Sequence, residues 1–257
     1  MINKRTVAFI PARMGASRFP GKPLARILDL PMIEHVRRRV CLSESIDEVV
    51  VATCDREIAD AVNSYGGHAV MTADTHERCT DRVEEAAHQV SVDIAVVVQG
   101  DEPLFDPGLL KGMVEPFLLD DRVRCTNLLS LIHDEQDMQD VDVVKAVLNE
   151  ANQIMCFSRS PIPYRRVAGN TPLYRQTGVS AFERSFLHTF SGLPPTSLEI
   201  TESVDFLRIV GHGYPIHSVV FDGRLVGVDR PGDVRVVEEI LKTDPVQKKL
   251  YERMLTL

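Results

Sequence analysis

Three cations, Arg13, Arg18 and Lys22, fall in a glycine-bearing stretch that follows directly on an apolar run. It reads Thr6-Val-Ala-Phe-Ile-Pro-Ala12-Arg13-Met-Gly15-Ala-Ser17-Arg18-Phe-Pro20-Gly21-Lys22-Pro23-Leu24. Small residues such as Ala12, Gly15 and Ser17 let backbone N–H groups approach phosphate oxygens, and the cations supply charge. Such a loop suits a nucleoside triphosphate. The spacing is neither G-x-x-x-x-G-K-[ST] nor G-x-G-x-x-G, which sets aside a P-loop and a dinucleotide-binding turn. Two carboxylates stand at comparable places. Asp101, in Gln99-Gly100-Asp101-Glu102-Pro103, ends an apolar run, and Asp229, in Gly227-Val228-Asp229-Arg230-Pro231, precedes a predicted helix. Mg²⁺ takes hard oxygen ligands, usually one or two carboxylates plus substrate phosphates. Read locally, Asp101 also suits a turn or helix cap, and Asp229 an N-cap with Pro231 in the first turn. Transfer of a nucleotidyl group needs a cation to offset charge on the α-phosphate and the leaving pyrophosphate, and the two aspartates together would supply a ligand pair. Neither a Ser-His-Asp arrangement nor a nucleophilic cysteine is evident, so no covalent enzyme intermediate is expected.

The elements that must position these groups alternate in the first half. Strands are predicted at Val7–Ile10, Glu48–Thr53, His68–Met71 and Ile94–Val98. Helices are predicted near Pro31–Cys41, Asp55–Tyr65, Asp81–Val90 and Pro107–Leu119. This alternation implies an α/β chain with a mostly parallel, doubly wound sheet and ligands at the carboxyl ends of its strands. The second half is less regular. Strands are expected at Cys125–Ile132, Val143–Leu148, Ile154–Phe157 and Thr177–Phe182. Helices near Glu183–Phe190 and Ser197–Val210 follow, then a strand at Ile216–Phe221 and a last helix near Pro231–Leu241. Gly169-Asn170-Thr171-Pro172 reads as a mobile loop.

The chain has 257 residues, enough for one large domain with a sizeable core. Its net charge of −8 argues against non-specific nucleic-acid binding. Arg37-Arg38-Arg39 reads as the solvated face of a helix. The five cysteines are scattered, which points to a reducing cytoplasm rather than disulfides or zinc. Met1–Arg5 is too short and polar for a signal peptide, and no apolar run reaches the ~18 residues of a membrane span.

The first loop resembles the signature of the sugar nucleotidyltransferases, x-[IP]-A-R-x-x-S-x-R-[LF]-P-G-K-[PV]-L. With Pro31-Met-Ile-Glu-His-Val36, Thr53-Cys-Asp55, Gln99-Gly-Asp101-Glu-Pro103, Val144-Lys-Ala-Val147, Phe157-Ser-Arg159 and Gly227-Val-Asp229-Arg-Pro231, nearly the whole chain resembles the 3-deoxy-manno-octulosonate (Kdo) cytidylyltransferases, the CMP-Kdo synthetases. The resemblance implies a Rossmann-like nucleotidyltransferase fold in a single domain. Residues 1–125 and 211–257 would form the nucleotide-binding core, and 126–210 an acceptor and dimerisation lobe. It implies CTP as substrate, Mg²⁺ as cofactor, a homodimer, and a role in lipopolysaccharide biosynthesis. Arg13 and Lys22 would bind the triphosphate, Gln99 would read cytosine, Asp101 and Asp229 would hold the metal, and Arg159 would lie on the sugar-acid side.

The chain departs from the family in three places. The usual H-x-S-G-T-[DE]-R becomes His76-Glu-Arg78-Cys79-Thr80-Asp-Arg82, which alters a loop that lies near the nucleotide. H-L-G-[IL]-Y becomes Gln176-Thr-Gly-Val-Ser180, and L-E-Q-L-R becomes Val204-Asp205-Phe206-Leu-Arg208. Changes on the acceptor side remove hydrogen-bonding groups, and unpaired buried partners discriminate strongly between substrates. The main expectation is transfer from CTP to a Kdo-like 2-keto sugar acid. Its alternatives are a different acid, such as an amino-Kdo, another ulosonic acid or a small phosphonate, with Kdo used poorly, and a non-catalytic nucleotide-binding protein.

Overall fold

The computed structural model describes residues 4–167 and 171–257, so Gly169 and Asn170 of the predicted loop lie outside the described residues. In chain order the elements are β1 (Thr6–Ala12), β2 (Arg26–Ile27), β3 (Leu30–Pro31), α1 (Met32–Cys41), β4 (Glu48–Thr53), α2 (Arg56–Ser64), β5 (His68–Met71), α3 (Cys79–Ala87), β6 (Ile94–Val97) and α4 (Leu109–Leu119). Then follow β7 (Cys125–Leu131), α5 (Glu135–Gln139), β8 (Lys145–Leu148), β9 (Ile154–Ser158), β10 (Tyr174–Glu183), α6 (Arg184–Gly192), α7 (Ser197–Glu202), α8 (Phe206–Gly211), β11 (His217–Phe221), α9 (Pro231–Thr243) and α10 (Pro245–Met254). They divide into two compact units, Met1–Val114 with Leu225–Leu257, and Glu115–Arg224. No helix among the described residues is long and apolar enough to cross a membrane.

In the first unit, β6, β1, β4 and β5 lie side by side in that order, all parallel. Every residue of β1 is buried, as a strand covered on both faces requires. Burying each large apolar side chain of β1 contributes about 1.5–3 kcal/mol relative to exposure. Because the strands are parallel, the segments after Ala12, Thr53 and Val97 all leave from the same edge. Gly100 permits the last of these exits: a Cβ there would sit 3.0 Å from the Pro11 carbonyl oxygen. The returning C-terminal segment is anchored by a shared core. Ile27, Leu30 and Met32 bury against Val228, Val237, Leu241, Tyr251 and Met254.

The arginine face of α1 is not solvated. Arg37 and Arg38 are 8% exposed and Arg39 is fully buried. Glu34, itself fully buried, accepts two bonds from Arg37 at 2.7 Å and one from Arg38 at 3.1 Å. Arg38 also donates to the Met254 carbonyl, and Arg39 to Gln247 Oε1 at 2.7 Å. Arg38 and Arg39 are covered by α10, a helix the linear pattern did not predict. Its signal is local: Asp244 caps it, accepting from the Val246 and Gln247 N–H groups, and Pro245 opens its first turn.

In the second unit, β7 is central, parallel to β11 and antiparallel to β10, while β8 joins β10 to β9 by antiparallel pairing. The helix expected over Ser197–Val210 is two helices. Ser203 takes a left-handed conformation at φ 52° and ends α7. Glu199, at 1% exposure, then ties α7 to α8 through two bonds from Arg208, at 2.6 and 2.8 Å.

His35 on α1 carries a prediction. Its Nε2 meets the Ile27 carbonyl at 2.7 Å, its ring stacks on Tyr251, and its buried Nδ1 has no partner. Burial first, then the charges of Arg39 and Arg38, lowers its pKa to about 4. The unfolded chain binds this proton near pH 6.5. The native state is therefore fully favoured above pH ~6.5, and ~3 kcal/mol is lost as the pH falls toward 4. NMR of the imidazole should show no titration step near 6.5. A step there would mean that the ring is hydrated.

Candidate active site

The loop after β1 folds back on one peptide. The Met14 carbonyl accepts the N–H groups of Ala16 at 2.9 Å and Gly21 at 3.0 Å. Gly21 adopts φ 74°, a left-handed conformation that glycine enters without the cost a Cβ imposes. This turn delivers Lys22 as the first residue of a short 3₁₀ segment, Lys22–Leu24. The Lys22 ammonium donates to Asp101 Oδ2 at 2.6 Å and to the Val228 carbonyl at 2.9 Å, and it lies 3.8 Å from Asp229 Oδ1. Arg18 adds a contact to Asp229 at 3.4 Å.

Asp229 does not cap the helix that follows. Asp233 takes that task, its Oδ2 accepting the N–H groups of Asp229 and Arg230, both at 2.8 Å. These two bonds lower the Asp233 pKa, with smaller contributions from the charges of Arg230 and Lys22. The Asp229 carboxylate is thereby left to face Lys22 and Arg18. Asp101 is held from its backbone as well, its carbonyl accepting the Val228 N–H at 2.8 Å. Asp233 was not anticipated as part of the site, although its place in Asp-Arg-Pro-Gly-Asp is that of a third helical residue able to bond back to the helix start.

Ala12, Arg13, Ser17, Arg18, Lys22, Gln99, Asp101 and Asp229 line one cavity of about 280 Å³. It is large enough to take part of a nucleotide, and both carboxylates and guanidinium groups line it. Cys79 also lines it, its thiol donating to Gln99 Oε1 at 3.5 Å. Arg78 borders a smaller neighbouring cavity together with Arg13 and Arg82. The loop before α3 is fastened to that helix. Glu85 accepts the Ala73 N–H and pairs with His76, and Arg82 donates to Thr72 Oγ1 at 2.6 Å. Gly15 has open space around it, and Thr80 is buried in the first turn of α3.

The acceptor-side residues belong to the second unit and are less uniform. Arg159 donates to the carbonyls of Glu202 at 2.7 Å and Val141 at 2.8 Å. Gln176, half-buried on β10, donates its N–H to the Val144 carbonyl. Asp205 precedes α8 without capping it. Two residues are buried. Phe206 is 5% exposed, and its ring packs against Phe157, Phe182 and Phe190 at 5.9–6.1 Å. Ser180, at 2% exposure, is buried within β10. Helix α8 turns its first residue inward to complete that aromatic cluster, which the linear pattern does not disclose.

Residues 7–216 match the family model described as cytidylyltransferase. The chain is thus a nucleotidyltransferase of the cytidylyltransferase class. A 3-deoxy-manno-octulosonate cytidylyltransferase of Geobacter metallireducens is 38% identical over 248 residues, covering 92% of this chain and 98% of the relative. One from Syntrophotalea carbinolica is 40% identical over 244 residues, covering 91% and 98%. A solved structure of CMP:2-keto-3-deoxy-manno-octonic acid synthetase complexed with CTP superposes with a TM-score of 0.90 at 35% identity, over 93% of this chain and 99% of that one. The chain belongs to the 3-deoxy-manno-octulosonate cytidylyltransferase family, the CMP-Kdo synthetases.

Asp101 and Asp229 are 36% and 56% exposed at the side chain, so their replacement by Asn should leave the fold intact. Each substitution should lower turnover by ~10²-fold or more, the scale of losing one preorganised charge-stabilising group. Pyrophosphate-release assays would check this, and near-normal rates in both variants would remove the pair from the site. Lys22→Ala should weaken CTP binding or slow transfer while sparing acceptor affinity. Calorimetric titration with unchanged CTP affinity, together with an unchanged rate, would exclude the loop.

Proposed function

We propose that this chain transfers a cytidylyl group from CTP to Kdo, and that the loop after β1 holds the triphosphate. The observation that carries this reading is the meeting of Lys22 with Asp101 and Asp229 in the cavity that Arg13, Arg18 and Gln99 also line. The 2-hydroxyl oxygen of the sugar acid attacks the α-phosphorus in line. The bond from that phosphorus to the bridging oxygen breaks, pyrophosphate leaves, and the hydroxyl proton passes to solvent. What the chain supplies is positioning and charge neutralisation. Arg13 and Lys22 bind phosphate oxygens, aided by Arg18 and the small residues Ala12, Gly15 and Ser17. Gln99 reads the cytosine edge, with Arg78 and Thr80 on the neighbouring loop.

Asp101 and Asp229 fit Mg²⁺. They are hard oxygen donors, and their shared contact with one ammonium indicates that a single cation can serve both. Such an ion would supply charge compensation on the phosphates. The second unit provides the acceptor side, through Arg159, Gln176 and Asp205, and the surface of a homodimer. All five cysteines are free, in keeping with a reducing cytoplasm, where lipopolysaccharide precursors are activated.

Phe206 and Ser180, two of the four residues behind the expectation of a changed acceptor, are buried, so that expectation rests mainly on Gln176 and Asp205. Kdo is expected to react with a kcat/KM on the order of 10⁴ M⁻¹s⁻¹ or more, as for a dedicated enzyme. A chelator should abolish the rate and added Mg²⁺ should restore it. The test is pyrophosphate release from CTP over a panel of acids, with mass spectrometry of the CMP conjugate. Fast release with another ulosonic acid or a phosphonate, and almost none with Kdo, would overturn the choice of acceptor. CTP binding without release for any acid would favour a non-catalytic nucleotide-binding protein.

A further inference from the structure

Asp55 follows β4 and stands at the N-cap of α2, where an aspartate ordinarily accepts a hydrogen bond from the first turn of its own helix. It makes no such bond. Its Oδ2 instead accepts the N–H of Met14 at 2.8 Å, across 41 residues of sequence, and the Cys54 thiol lies 3.6 Å from the same oxygen. The backbone N–H of Asp55 is in turn donated to Thr53 Oγ1 at 3.0 Å, which steadies the turn that aims the carboxylate.

Met14 is the peptide on which the loop closes. Its carbonyl takes the N–H groups of Ala16 and Gly21, and its remaining polar group, the N–H, ties the Arg13 end of the turn to the segment after β4. Arg13 precedes it directly, and Lys22 follows Gly21. We propose that Asp55 is a positioning residue for the nucleotide loop: it gives up capping α2 in order to clamp Met14, and so holds Arg13 and Lys22 where the triphosphate binds. This rests on the proposed assignment of that loop to CTP.

The chemistry of the clamp separates it from a general role in stability. Asp55→Asn keeps an oxygen acceptor for Met14. Asp55→Ser loses the reach to Met14, yet serine is a strong N-cap, so α2 keeps its start. In Asp55→Ser the KM for CTP should rise about tenfold, with the KM for the acceptor unchanged and Tm at or above that of the unmodified enzyme; one tenfold step is the size of a single charge-assisted hydrogen bond. Asp55→Asn should stay within about threefold. Hydrogen exchange should show Met14 deprotected in Asp55→Ser and protected in Asp55→Asn. If Asp55→Ser binds CTP as the unmodified enzyme does, the clamp is refuted. If instead CTP affinity and Tm fall together in both variants, the role is structural and the inference is equally refuted. Were the unmodified enzyme itself to ignore CTP, the assignment of the loop would be at fault, and the exchange measurement on Met14 would still decide whether the clamp exists.

Discussion

One ammonium group organises the active edge of this protein. Lys22 comes from the loop after β1, Asp101 from the end of β6, and Asp229 with the Val228 carbonyl from the returning C-terminal segment. Two carboxylates brought to one place repel each other, and a cation between them turns that repulsion into attraction. The Lys22 side chain is only 13% exposed, so water screens the contact incompletely. Other features of the first unit serve this meeting. The absence of a side chain at Gly100 lets the end of β6 pass β1. The apolar cluster from Ile27 to Met254 holds the C-terminal segment in place, and Asp233 frees Asp229 from helix capping.

Elsewhere the chain uses charge differently. Glu34 with Arg37 and Arg38, and Glu199 with Arg208, are ion pairs in which carboxylates and guanidinium groups satisfy one another inside the fold. Such pairs contribute little net stability, yet removing one partner is costly because the other charge is left buried. At the cavity the carboxylates of Asp101 and Asp229 and the guanidinium of Arg18 stay partly exposed around the more buried Lys22. Burial thus sorts the charged residues of this chain into those that lock helices together inside the fold and those that stay open at the cavity.

The same sorting explains what could be read in the linear chain. Strands β4 and β5 fall on their expected residues, and β1, α1, α2 and β6 lie within a residue or two of expectation, because buried parallel strands are continuous apolar runs and helices keep a 3.6-residue rhythm. The family was legible for a related reason. The resemblance rests on small and basic residues at fixed spacing, so Arg13, Ser17, Arg18 and Lys22 carry their meaning in their order. The α/β class follows from local rules alone.

Tertiary structure decided the rest, because contacts between distant residues leave no local pattern. That Arg38 and Arg39 are buried depends on α10, some two hundred positions later, lying over α1. That Phe206 is core depends on three other phenylalanines converging on it. Capping propensity assigned Asp229 and Asp55 equally well to the starts of their helices. Only the folded chain shows that Asp233 satisfies the first helix, and that Asp55 spends its carboxylate on Met14. A hydrogen-bond acceptor has few partners and must choose among them. Sequence sets the candidates, and three-dimensional proximity makes the choice.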